Sequence, residues 1–203
     1  MENRTYSNQW NKIPVAVKQF LLRAIVILIV WKVLYLFILF PTRLLDQPLT
    51  YSVGKAAVGL LNLTSSASVF STETKIAPVS TENGILNLPV QSVFANHKIV
   101  VSIEDGCNGL ELFVLYAGFI ICLPALLKDK VKFIIGGIIL IYMVNVIRCA
   151  VISYLFYHNI SHADFVHHYV FTVVVYGFIM WLWYIFADKV IVQKQQPAVA
   201  ANA

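Results

Sequence analysis

Between Phe20 and Phe40 the chain runs apolar for about twenty residues, interrupted only by Arg23 near its start and Lys32 further in. A hydrocarbon core about 30 Å thick is crossed by a helix of that length at about 1.5 Å per residue. Lipid offers no water to the backbone amides, so a crossing segment of this kind has to be helical. The residues before it form a long segment, and "FILFPTRLLD" after it lacks a small-residue cleavage site, so the run reads as an uncleaved membrane helix. Three more runs follow at Leu110 to Leu127, Phe133 to Tyr157 and Val166 to Ala187. The composition agrees, with 59% hydrophobic and 12% charged residues and a mean hydropathy of +0.76. A soluble domain is nearer half apolar and a quarter charged. The expected fold is an all-α polytopic membrane protein with about four transmembrane helices in one bundle.

Residues 41–106 differ: Ser, Thr, Asn and Pro are frequent and apolar runs are short. Within them Leu49, Val53, Ala57, Leu60 and Leu61 share one helical face with Lys55 and Asn62 among them, which suits an amphipathic interfacial helix. The β-branched "HKIVVSIE" reads as a strand that pairs with part of "SSASVFSTETKIA" or of "ILNLPVQSVF", giving a small β-hairpin cap. The expected organisation is a cytoplasmic N-terminal segment at 1–19, a single transmembrane catalytic domain at 20–187 with 41–106 as its extracytoplasmic cap, and a cytoplasmic disordered tail at 188–203.

The net charge of +5 does not point to nucleic acid, because the basic residues are not gathered with aromatics into one patch. They stand at the ends of apolar runs. Arg4, Lys12, Lys18 and Arg23 open the first span, Lys128, Lys130 and Lys132 form the 128–132 loop, and Lys189 and Lys194 follow the last span. The positive-inside rule puts all of these in the cytoplasm and segment 41–106 outside, within a plasma (inner) membrane crossed several times.

Depth can then be reckoned from these cytoplasmic anchors. Cys107 lies 21 residues before Lys128, roughly 31 Å up. Arg148 lies 16 residues after Lys132, roughly 24 Å up with a side chain that reaches further. His167 lies 22 residues before Lys189, roughly 33 Å up, with His168 a little lower. Separate helices thus bring a thiol, a guanidinium and an imidazole to one level at the outer leaflet.

That set suits nucleophilic catalysis by sulfur. Beside a cation and a helix N-terminus the Cys107 thiol is expected to have a lowered pKa. Histidine can take its proton and return it to a leaving amine. Arg148 can stabilise a thiolate or an oxyanion, and the amides of Asn108 and Gly109 offer a second oxyanion site. Asn145 shares a helical face with Arg148 and is placed to orient it or to bond another helix. Asp164, three residues before His167 and four before His168, can orient either ring or cap the last span. Cys122 and Cys149 lie in apolar runs as small hydrophobes, which leaves Cys107 without a disulfide partner outside the membrane. No CxxC or Cys/His ligand spacing is present, so neither metal nor cofactor is expected.

Each residue also has a plainer role. Arg148 could pair with Glu111 to lock two helices, and the histidines could face lipid headgroups. His97, His158 and His162 read as solvated loop residues. Two other functions compete: a non-catalytic membrane partner within a surface-export assembly, and a small transporter using Glu111 with Arg148. The second lacks broken helices and an internal repeat.

"DGCNGLELFVLYAGFIICLPA", then "NVIR", then the histidines opening "HHYVFTVVVYGFIMWLW" resemble the exosortase/archaeosortase family over about residues 100 to 187. The resemblance implies a membrane cysteine transpeptidase with a Cys, Arg, His set in that order, matched here by Cys107, Arg148 and His167, with His168 as the alternative. It implies a thiol protease that cleaves the C-terminal sorting signal of exported, membrane-anchored proteins for the cell envelope. The signal is a short motif, a transmembrane helix and a basic tail, and cleavage passes through a thioester that an unidentified acceptor resolves. The chain is shorter than many relatives, so it resembles a compact member.

Overall fold

The computed structural model describes residues 13–64, 70–81, 84–160 and 162–200, without the side chains of residues 164, 168 and 191–200. It is mostly helical with a small antiparallel sheet. Helix α1, Val15–Thr42, starts after Pro14 and carries one π-helical turn at Tyr35–Leu39. Helix α2 spans Asp46–Thr64. Strands β1, Phe70–Thr81, β2, Gly84–Ala95, and β3, Lys98–Ile103, follow as a meander. A 3₁₀ turn at Asp105–Cys107 leads to helix α3, Leu110–Cys122. Helix α4 spans Leu127–Tyr157. A short turn, Ala163–Phe165, and a π-helical turn, Val166–Val170, run into helix α5, Phe171–Ala200.

Among the described residues, three helical segments are long and apolar enough to cross a membrane: Val15–Thr42, Leu127–Tyr157 and Phe171–Val190. The expected fourth span is the 13-residue helix α3, about 20 Å long and short of the core thickness on its own. Pro124 explains the early end, since it forces Leu123 into the extended conformation seen there. The residues "KDKVK", expected as a loop, are instead the first turns of α4. The backbone also stays helical from 188 to Ala200, where a disordered tail was expected.

The expected hairpin is a three-stranded sheet. Strand β2 pairs with β1 along its whole length, from Phe70 opposite Ala95 to Thr81 opposite Gly84. On its other side β2 pairs with β3, with a bulge at Val93 and Phe94. His97 is not part of β3: Asn96 and His97 both have positive φ, 50° and 66°. They form the two-residue turn whose twist suits a hairpin.

Helix α2 is amphipathic as its spacing predicts, but its apolar face is covered by protein. Val53, Ala57, Val58 and Leu61 pack against Phe70, Val93 and Ala95 of the sheet and against Val146, Cys149 and Ala150 of α4. Gly54 permits this approach, because a Cβ there would stand 2.9 Å from the Gln91 side chain. A second core joins α3, α4 and α5 through Tyr116, Ile120, Ile141, Val175, Ile179 and Phe186. The Tyr116 hydroxyl donates to the Phe133 carbonyl at 2.9 Å, which satisfies the polar tip of a fully buried ring. The loop carrying Cys107 packs against the first core, where the sheet meets α4.

Candidate active site

The turn Asp105–Gly106–Cys107 exists because β3 ends at Ile103 while α3 cannot start until Leu110. Its main chain closes on itself: the Cys107 amide donates to the Glu104 carbonyl and the Asn108 amide to that of Asp105. Gly109 then turns the chain at φ 88°, a conformation that side chains resist. The buried Asn108 side chain stitches the turn to its neighbours. Its amide donates to Asp46 Oδ1 at 2.9 Å, and its Oδ1 accepts the Leu110 amide at 2.8 Å, satisfying one free donor of the α3 N-terminus. Thr50 donates to Asp105 Oδ1 at 3.0 Å, and Arg43 forms an ion pair with the same carboxylate.

Cys107 and Arg148 meet as the depth reckoning predicts. Arg148 Nη2 is 3.8 Å from Cys107 Sγ. No ion pair joins Arg148 to Glu111, which stands exposed at the start of α3. Both line a cavity of about 210 Å³ between α3, α4 and α5. Asn145 does not orient Arg148. It is fully buried, and its amide donates to the Cys107 carbonyl at 2.8 Å.

His167 approaches Cys107 from the π-helical turn before α5, at a cavity that Arg148 does not line. It lines a cavity of about 190 Å³ together with Glu104, Cys107, Cys149, Ile152 and Phe156. Such π-turns recur at functional positions. The side chains of His168 and Asp164 lie outside those described. The backbone cap of the turn that carries them is His162 rather than Asp164. His158 caps the end of α4, its ring against Tyr154 and Tyr157. Among the described residues no cluster of three His, Cys, Asp or Glu side chains could hold a metal ion.

The electrostatics differ from expectation on one point. Burial pushes the Cys107 thiol up from its usual value, the Arg148 charge pulls it back in part, and Glu104 adds to the rise. Desolvation outweighs the cation because the sulfur is largely enclosed. Glu104 is itself raised, by burial and then by Asp105, so its charge beside the thiol is weakened. The thiol is thus held above its usual range despite the adjacent guanidinium. Of the two amides expected to hold an oxyanion, that of Asn108 already serves Asp105, which leaves the Gly109 amide as the candidate. All three cysteines are free, as the sequence suggests.

Several site residues escaped the sequence reading. Asp46 and Thr50 are one helical turn apart on the buried face of α2, and that i, i+4 polar pair on an apolar face was the available signal. Arg43 and Glu104 gave none, since their partners are distant in sequence or belong to an irregular turn.

The chain matches the family model described as transmembrane exosortase (Exosortase_EpsH) over residues 16–185. No curated protein and no solved structure matches it.

Proposed function

The chain belongs to the transmembrane exosortase family, and from that premise we propose that it is a membrane cysteine peptidase or transpeptidase that cleaves C-terminal sorting signals of exported proteins. The observation that carries this reading is the guanidinium of Arg148 at 3.8 Å from the Cys107 sulfur. His167 supports it from the wall of the cavity that Cys107 lines. The site faces outward, in a plasma membrane that α1, α3 with its flanking loops, α4 and α5 cross.

The chemistry follows from a thiol held above its usual range. Substrate binding completes the enclosure of Cys107, and His167 takes the proton from Sγ as the sulfur attacks the scissile carbonyl. The new S–C bond places negative charge on the carbonyl oxygen, which Arg148 and the Gly109 amide stabilise. Collapse of this intermediate breaks the peptide bond. The departing amine of the membrane-anchored segment takes the proton from His167, and the upstream segment stays on Cys107 as a thioester. An acceptor amine or water, deprotonated by His167, then attacks the thioester and restores the thiol.

The experiment is co-expression with an exported protein carrying a C-terminal sorting signal, followed by its size and by mass spectrometry of the enzyme. Wild type shortens the substrate, and slow turnover leaves an acyl adduct on Cys107. Cys107→Ala, Arg148→Ala and His167→Ala each block shortening. Unchanged processing by Cys107→Ala would sink the mechanism, and unchanged processing by His167→Ala would move the base to His168.

A further inference from the structure

Strand β3 runs straight into the candidate site and has β2 on one edge only, with no strand beyond it among the described residues. The cavity that holds Cys107 and His167 touches Val101, Ser102, Ile103 and Glu104 in succession. Neighbouring residues of a strand point to opposite faces. A cavity that meets three strand residues in a row, Val101 to Ile103, and then Glu104 just past the strand therefore follows the strand's edge, where backbone N–H and C=O groups are presented, and not one of its faces. Its far wall is Ile152 and Phe156 of α4 with His167. Across Cys107 and Arg148, the second cavity opens between Gly109 to Leu112 of α3 and Phe171, Thr172 and Tyr176 of α5. One cavity lies toward the cap and the other between two membrane helices, with sulfur and guanidinium where they meet.

We propose that the substrate polypeptide lies across both cavities in one direction: the residues before the scissile bond add to the open edge of β3 as a parallel strand, and those after it descend between α3 and α5. This rests on the cysteine-peptidase reading and deepens it. The direction is forced by geometry. Strand β3 ends next to Cys107, so a segment lying along it with its last carbonyl at the sulfur runs the same way as β3. The segment after the bond is apolar and has to enter the membrane, and among the described residues the cavity that Arg148 lines, between α3 and α5, leads from the sulfur toward membrane helices. An opposite placement would send the apolar segment up along the cap. Edge addition also accounts for how the site could hold a substrate: main-chain hydrogen bonds supply affinity, and alternate side chains supply selectivity.

The test uses the full chain in detergent and reads alkylation of Cys107 by mass spectrometry. The probes are N-acetyl-tri-alanine chloromethyl ketone, two versions of it carrying one N-methyl group on either of two adjacent inner amides, and 2-chloroacetamide. In each alkylation the Cys107 sulfur displaces chloride from the chloromethyl carbon and the thiol proton passes to solvent. A strand offers alternate amides to its neighbour. One N-methyl group is therefore expected to slow alkylation at least tenfold, and the other less than twofold. Equal effects at the two positions, or none, overturn the strand while leaving Cys107 a reactive thiol. A Cys107 inert to every probe, 2-chloroacetamide included, overturns both the strand and the cysteine-peptidase reading.

Discussion

Asn145, in the middle of α4, donates a 2.8 Å hydrogen bond to the main-chain carbonyl of Cys107. A fully buried amide thus fixes the turn that carries the thiol to the same helix that supplies the guanidinium, one turn away at Arg148. Asn145→Ala would leave the Cys107 carbonyl with only the weak Cys149 thiol as donor, at 3.8 Å, a loss of about 1–3 kcal/mol. The expected outcome is a lower unfolding midpoint together with slower substrate cleavage, checked by thermal denaturation and by the shortening assay. A midpoint equal to wild type would mean that the turn holds itself.

Gly109 completes the same clamp. Its φ of 88° is unfavourable for any side chain, and a Cβ there would sit 3.3 Å from the Asn145 amide nitrogen. The left-handed conformation costs a residue with a Cβ about 1–2 kcal/mol. Gly109→Ala should therefore remain folded with reduced stability and, if the Gly109 amide serves the oxyanion as proposed, show a larger fall in cleavage. Stability and cleavage falling in strict proportion would argue against that amide's part in the reaction.

Arg148 is expected to act by charge and by shape. Losing one oxyanion donor typically lowers kcat about a hundred- to a thousand-fold. Arg148→Ala should fall in that range, and Arg148→Lys should recover only a part, since an ammonium keeps the charge but not the planar fork. Steady-state cleavage by purified protein decides this. A lysine variant with full activity would reduce Arg148 to a point charge.

Reactivity of Cys107 should depend on pH in a direction set by burial. Its thiol is raised by desolvation, lowered in part by Arg148 and raised by Glu104. Only thiolate reacts, so alkylation by iodoacetamide should climb along a limb lying above the ordinary thiol value of about 8.5. Arg148→Ala removes a lowering influence and should shift the limb to higher pH. Glu104→Gln removes a raising one and should shift it to lower pH. Rates measured between neutral and alkaline pH test both signs, and a limb below the ordinary value would show that the cation outweighs burial.

The sequence made some of this legible and hid the rest for physical reasons. Apolar runs and basic ends are one-dimensional signals, so the long helices could be read directly, and counting along them pointed to the approach of Arg148 to Cys107. The length of α3 could not be read from hydropathy, because "ICLPALL" stays apolar while Pro124 changes its backbone. Strand β1 mixes Thr, Glu and Lys with Ile and Val, so its pairing with β2 becomes evident only in three dimensions. The burial that opposes a lowered Cys107 thiol was hidden because a sequence displays neighbouring charges but not how far they are removed from water. The contact from Asn108 to Asp46 spans 62 residues, and no local pattern announces it.

Arg43 and Asp105 provide the last test, on stability. The two form an ion pair with side chains only 13% and 16% exposed. Burial raises the Asp105 carboxyl, and Arg43 is the largest influence holding it down. Removing one partner of an enclosed pair costs about 3 kcal/mol or more. Arg43→Ala should therefore destabilise the turn before Cys107 and push the carboxyl higher still. A carboxyl that binds its proton more tightly in the folded than in the unfolded state loses stability as pH rises from the unfolded value, about 3.9, through the folded one. The deficit of Arg43→Ala relative to wild type should thus be small near pH 4 and grow toward neutrality. The double variant Arg43→Ala/Asp105→Asn should recover part of it, because no buried charge is then left without a partner. Thermal unfolding across that pH range distinguishes the outcomes: a deficit independent of pH, with no recovery in the double variant, would mean that Arg43 stabilises the turn by packing rather than by charge.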